Sequence, residues 1–172
     1  MKSEASKTPR LSVRMACGVY EGLLLFGVLA CAGLLYGVLL RPDGSENWGP
    51  WFSGFMLVVM AGYFTWFWSK GETLAMATWH LRIHCKGRDQ PPSKPRALLR
   101  FALSLLWFLP GLTTVHLFGL DHVRGAWWTA LGANILVYAA LTRLHPSRQY
   151  LHDLLAGTEM LRVQRVSQKK AK

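Results

Sequence analysis

Four long apolar stretches, joined by short loops that gather the positive charge, leave this chain few ways to fold. Residues 15–40 carry a single charge, Glu21, in 26 positions. As a helix rising about 1.5 Å per residue they reach roughly 39 Å, more than the ~30 Å hydrocarbon core of a bilayer. Residues 51–68 carry no charge. Residues 101–119 contain Pro110 and His116, and residues 126–142 are again uncharged. Each of the last three would fit inside a soluble protein. Four of them in 172 residues, with so little polar sequence between, point to a membrane bundle.

Composition supports this. The chain is 51% hydrophobic and 17% charged, against roughly 25% charged in soluble domains. Such apolarity excludes a disordered chain, and three cysteines exclude a dense disulfide scaffold. The net charge of +11 invites a nucleic-acid partner. Its distribution argues against one, because Lys and Arg avoid the apolar stretches and cluster around them.

The loops give an orientation. Placing both termini and residues 69–100 on one side puts 18 basic residues there and two on the other. The positive-inside bias assigns the richer side to the cytoplasm. Trp48, Trp51, Trp127 and Trp128 then fall at the outer interface, with Trp66 and Trp68 at the inner one. A signal peptide would have an apolar region of about 7–15 residues. The longer run here, and the nine apolar residues after the lipoprotein-like Val28-Leu29-Ala30-Cys31, favour a retained span. A reducing side and a lipid environment argue against disulfides for Cys17, Cys31 and Cys85. The expected fold is an all-α, multi-pass protein of the plasma (inner) membrane, with four transmembrane helices and both termini cytoplasmic. Its parts are a segment 1–10, a domain 11–166 with spans at about 15–40, 51–68, 101–119 and 126–142, and a basic tail 167–172.

Two short segments break the helical pattern. Trp79 to Cys85 alternates apolar and polar residues with period two, as a half-buried strand does, and a turn follows at Lys86-Gly87-Arg88-Asp89 and Pro91-Pro92. Met160-Leu161-Arg162-Val163, after Gly157, is a second strand candidate. The two are expected to lie against the inner membrane face and pair.

Charged residues inside or beside spans are the candidate site. Arg14 and Glu21 are seven apart, so they lie within about 20° of one helical face, two turns apart. A shared partner or bridging water joins them more easily than a direct salt bridge. Glu21 falls at the inner boundary of the hydrocarbon, where it is either functional or an anchor of the helix. Arg100 at the start of the third span and Asp153 in the tail converge on the same face. Gly18, Gly22, Gly33 and Gly37 share an arc of about 100° on the first span, a surface that another helix can approach closely, in this chain or a second copy.

These residues carry a family resemblance. Arg14-Met15-Ala16-Cys17-Gly18-Val19-Tyr20-Glu21 resembles the Arg-x6-acid motif of the RDD domain, named for an arginine and two aspartates. Gly71-Glu72-Thr73-Leu74 is similar to its Gly-x-Thr element, and Leu81-Arg82-Ile83 to the strand that follows. Ala97-Leu98-Leu99-Arg100 is similar to its Leu-Arg start of the next span. His152-Asp153-Leu154-Leu155-Ala156-Gly157-Thr158 is close to its His-Asp-x-x-x-Gly-Thr motif. Glu21 replaces the first aspartate, so its carboxylate reaches one methylene further. The resemblance covers about residues 11–166. It implies an integral membrane protein and, for some members, cation or proton antiport.

Lesser candidates have ordinary readings. His80 and His84 sit four apart beside Cys85. On a strand they face water beside Arg82, so no metal site is expected. His116 lies near the outer end of its span. Asn134 is placed for a hydrogen bond between helices. Pro110-Gly111 either kinks the third span or is tolerated there. The sequence holds no nucleophile motif, phosphate loop, redox Cys pair or cofactor signature, so no enzyme and no cofactor are expected. Two functions remain, and the family resemblance favours the first. In one, Arg14, Glu21, Arg100 and Asp153 form a cation or proton site at the cytoplasmic mouth of a homo-oligomer. In the other, the same charges fasten the cytoplasmic strands to the helix ends of a structural or partner-binding protein, and the basic tail touches anionic lipid. Topology reporters fused within residues 41–50 should read out the external side, and reporters within residues 86–93 the cytoplasmic side.

Overall fold

The computed structural model describes residues 8–40, 49–144, 146 and 149–162. Residues 1–7 of the expected segment 1–10, the loop 41–48, Val163 and the tail 167–172 lie outside the described residues. Helix α1 (Leu11–Leu40) and helix α2 (Gly49–Ser69) form the long pair. A short helix α3 (Leu74–Thr78) leads into strand β1 (Leu81–Cys85). Then follow α4 (Lys94–Ser104), a 3-10 turn (Leu105–Trp107), α5 (Leu109–Leu117), α6 (Ala126–Leu144), α7 (Leu151–Ala156) and strand β2 (Thr158–Arg162).

Leu11–Leu39 and Trp51–Ser69 are long and apolar enough to cross a membrane. Their most apolar windows are 0% and 6% buried. A helix in a soluble core would be covered on every side. Here Phe26, Leu34 and Val38 on α1 and Val58 on α2 stay exposed, and so much open apolar surface marks a membrane protein. The third expected span is broken. Lys94–Trp107 and Leu109–Leu117 meet at 45° and count as one crossing only if the bent pair is a single span. The fourth, α6, forms where expected but is not among the helices apolar enough to cross by composition. Trp127, Trp128, Asn134 and Arg143 dilute its leucines.

The bend is not made by proline inside a helix. The chain breaks at Leu105–Phe108, and Pro110 occupies the first turn of α5, where its missing N–H costs nothing. Carbonyls freed at the break are recovered from across the interface. Asn134 Nδ2 on α6 donates to the Trp107 carbonyl at 2.6 Å and to that of Leu106 at 3.3 Å. This is the interhelical role expected of Asn134. Gly111 is the contact point, since a β-carbon there would lie 2.9 Å from the Ala130 carbonyl oxygen and 3.0 Å from Asn134 Cβ.

The core sits at the end of the long pair where α1 begins and α2 ends. Cys17, Trp68, Ala75, Met76, Leu81, Ile83, Ala97, Phe101 and Met160 pack together there. The strands join antiparallel, Leu81 opposite Arg162 and Cys85 opposite Thr158. Period two puts Leu81, Ile83, Thr158 and Met160 on the buried face and Arg82 on the exposed one. A two-stranded sheet is marginal alone. Here its apolar face completes the core, and Gln149 extends its bonding by accepting from Met160 N and donating to Met160 O.

The glycines on α1 divide. Gly33 faces Phe52 and Met56 on α2 at 3.8 Å, whereas nothing lies within 4 Å of a β-carbon at Gly18 or Gly22. Gly37 is half-buried. Gly111→Ala should lower stability by about 1–3 kcal/mol through overpacking, and Gly18→Ala by far less. Thermal unfolding in detergent compares the two.

Candidate functional site

Helix α1 delivers two charges to the core end. Arg14 and Glu21 are both buried. Seven residues make almost two whole turns, so both look the same way. Each has its own set of contacts among the described residues. The Arg14 guanidinium stacks 4.2 Å from the Tyr150 ring centre, just before α7. Glu21 is held by hydroxyls: Tyr63 Oη on α2 donates to Oε1 at 2.6 Å, and Thr73 Oγ1 donates to Oε2. Thr73 also accepts from Met76 N at 3.2 Å as the N-cap of α3. One hydroxyl thereby spends its proton on Glu21 and a lone pair on the helix start.

Gly71, two places before Thr73 in the same element, has a backbone reason to be glycine. Its φ is +93°, a left-handed conformation that favours glycine. Its carbonyl accepts from Ile83 N at 2.7 Å, which ties the end of α2 to β1.

The second group centres on Asp153. Arg100 Nε donates to Asp153 Oδ1 at 2.6 Å, with the two side chains 1% and 0% exposed. Thr158 Oγ1 donates to the same oxygen at 3.0 Å. Arg100 also lies 4.0 Å over the Trp68 ring, an aromatic stacking that suits guanidinium. Gly157 takes φ +64° as the C-cap of α7 and turns the chain so that Thr158 reaches back to Asp153. Burial alone would raise the Asp153 carboxyl, but Arg100, His152 and the hydrogen bonds together hold it below its usual value.

His152 is neutral in this setting. Tyr138 Oη accepts from the His152 backbone N–H at 2.9 Å and lies 2.9 Å from Nδ1. The imidazole tautomer sets which of Tyr138 Oη and Nδ1 donates to the other, while Nε2 lies 3.8 Å from Asp153 Oδ1. Burial pushes the imidazole down to about 4. Tyr150, stacked at 5.3 Å on His152, is pushed up to about 12 by burial, with Arg14 pulling the other way.

The four candidate charges therefore meet at one end of the bundle in two groups. Arg100 and Asp153 pair directly, Arg14 joins them through Tyr150, and Glu21 stands beside them on hydroxyls. Thr73, His152, Gly157 and Thr158 orient these groups. Tyr63, Tyr138, Tyr150 and Gln149 escaped the sequence reading. Tyr63 and Tyr138 left a signal, since a buried phenol in an apolar span needs a partner for its hydroxyl. The histidines outside α7 stand apart: His84 meets Asp89 at 3.1 Å and His116 meets Asp121 at 2.8 Å. Among the described residues no three His, Cys, Asp or Glu side chains gather as metal ligands.

This site makes stability depend on pH with a definite sign. Between about 6.5 and about 4 the unfolded chain protonates His152 while the folded one resists. The unfolded state then binds more protons, so stability falls as pH drops through that window. His152→Asn should flatten this slope in thermal unfolding. Asp153 adds a further loss below the usual carboxylate range, because its folded value is depressed. Replacing Arg100 alone by Met should cost about 3–5 kcal/mol by stranding a buried carboxylate, and Arg100→Met with Asp153→Leu should cost less. Denaturant titrations of the single and double variants measure the difference.

No curated protein and no solved structure matches the chain. The model of the RDD family does, over residues 8–157, which include Arg14, Glu21, Arg100, Asp153 and Gly157. The chain belongs to the RDD family.

Proposed function

We propose that this chain is a structural, partner-docking membrane protein of the plasma membrane. It crosses the bilayer four times, with both termini and the strand pair cytoplasmic, and its buried charges fasten the cytoplasmic cap to the helix ends. One observation carries this reading. Arg100 and Asp153 are closed to solvent and engaged with each other at 2.6 Å. A carboxylate held ionised by a buried arginine and a threonine does not load and release a proton near neutral pH. Arg14 on Tyr150 and Glu21 on Tyr63 and Thr73 extend the same pattern to α1. The open Gly18–Gly22 side of α1, with Val19, Leu23 and Phe26 exposed beside it, is available to lipid or to a second copy. No enzymatic step is assigned to the site.

A second reading, handling of a small cation or a proton, has one supporting observation. Glu21 is a buried carboxylate on a membrane-length helix with hydroxyl groups on both oxygens. Hydroxyls can donate to an anion and also offer lone pairs to a proton or hard cation. Ionisable side chains within spans mark ion pathways and proton relays.

Reconstituted vesicles separate the two. The structural reading expects ion-driven proton movement to match that of empty vesicles, and Glu21→Gln to change nothing. Movement above that level, lost in Glu21→Gln, would establish transport instead. The structural reading also expects Arg100→Met to speed amide hydrogen exchange in β1 and β2 at least about tenfold, since the pair holds the cap closed.

A further inference from the structure

Outside the buried network, two cations converge on one exposed aromatic ring. Trp66, near the end of α2, is 53% exposed. Lys70 Nζ lies 4.3 Å and Lys94 Nζ 5.8 Å from its ring centre. The lysines come from different elements, the turn after α2 and the first residue of α4, which pack together. Both are exposed, and among the described residues neither has a carboxylate partner. Arg82, by contrast, is matched by Glu72 at 2.9 Å. Two unmatched ammonium groups beside an indole are complementary to a phosphate diester.

The neighbouring surface says what carries that phosphate. Gly62 and Val58 lie one and two turns before Trp66 on the same exposed side of α2. Leu98 is exposed one turn after Lys94 on α4. An apolar strip thus leads away from the cation pair along a membrane-length helix, where acyl chains would lie. A free phosphate would have no use for it. Tryptophan at this level is the ordinary anchor of the headgroup region.

We propose that Trp66, Lys70 and Lys94 form a binding site for the headgroup of an anionic phospholipid whose chains follow the exposed face of α2. The site rests on the membrane reading of α2 but not on its orientation. Clusters of basic residues at the ends of spans attract anionic lipid, with about a fivefold gain in affinity per lysine.

Quenching of tryptophan by brominated lipids tests this with the full chain in phosphatidylcholine vesicles. The Trp66 contribution is the difference between the parent protein and Trp66→Phe. Brominated phosphatidylglycerol should quench it in preference to brominated phosphatidylcholine. The combined Lys70→Gln and Lys94→Gln variant should lose the preference, and the corresponding Arg variant should keep it. Equal quenching by both lipids would overturn the site. So would a preference that survives in the Gln variant, or one abolished by inorganic phosphate at matched ionic strength, which would identify a free anion as the ligand. Failure of brominated phosphatidylcholine to quench Trp66 at all would instead remove the membrane reading on which the site stands.

Discussion

The closed ion pair of Arg100 and Asp153 is the interaction on which the rest of the cap depends. Taking two such charges out of water costs several kcal/mol per ion, about as much as their attraction returns. The pair is therefore a poor source of net stability and a strong source of specificity. It is tolerable only with α4, α7 and β2 in register, because Arg100 comes from α4, Asp153 from α7 and the second donor, Thr158, from β2. Any slip strands a buried charge. Arginine suits the place better than lysine, since its flat guanidinium lies over Trp68 while Nε points at the carboxylate.

Helix α1 uses the same device twice. Arg14 reaches α7 through Tyr150, and Glu21 reaches α2 and α3 through Tyr63 and Thr73. Two charges almost two turns apart on one face tie the start of a long, otherwise greasy helix to three separate elements. Nonpolar contact is not selective in lipid, where a neighbouring helix is no better a solvent than an acyl chain. Hydrogen bonds and charges supply the selectivity, and they are concentrated at the helix ends. The middle of α1 stays bare, while Gly33 meets Phe52 and Met56 on α2.

Much of this could be read before any coordinates. The apolar runs 15–40 and 51–68 announced α1 and α2, and the alternation around Leu81–Cys85 announced β1. Asn134 was placed as an interhelical donor for a sound reason, since a lone amide in an apolar helix needs a partner. In the third stretch Pro110-Gly111 left a kink and a tolerated proline both open; the structure has the proline tolerated, and the break lies before it at Leu105–Phe108, where the carbonyls of Leu106 and Trp107 turn to Asn134. No local signal marks such a site, because the compensating group lies on another helix.

Periodicity and charge distribution are properties of neighbouring residues along the chain. They were enough to specify helices, strands, a membrane setting and the gathering of Arg14, Glu21, Arg100 and Asp153 toward one end. Pairing is different. Whether Glu21 meets Arg14 or Tyr63, and whether Asp153 meets Arg100 or solvent, depends on atoms tens of residues apart brought within about 3 Å by packing. The chain's order holds no trace of such distances, so the division of four charges into a sealed ion pair, a stacked arginine and a hydroxyl-bound glutamate arose only when the helices closed on one another.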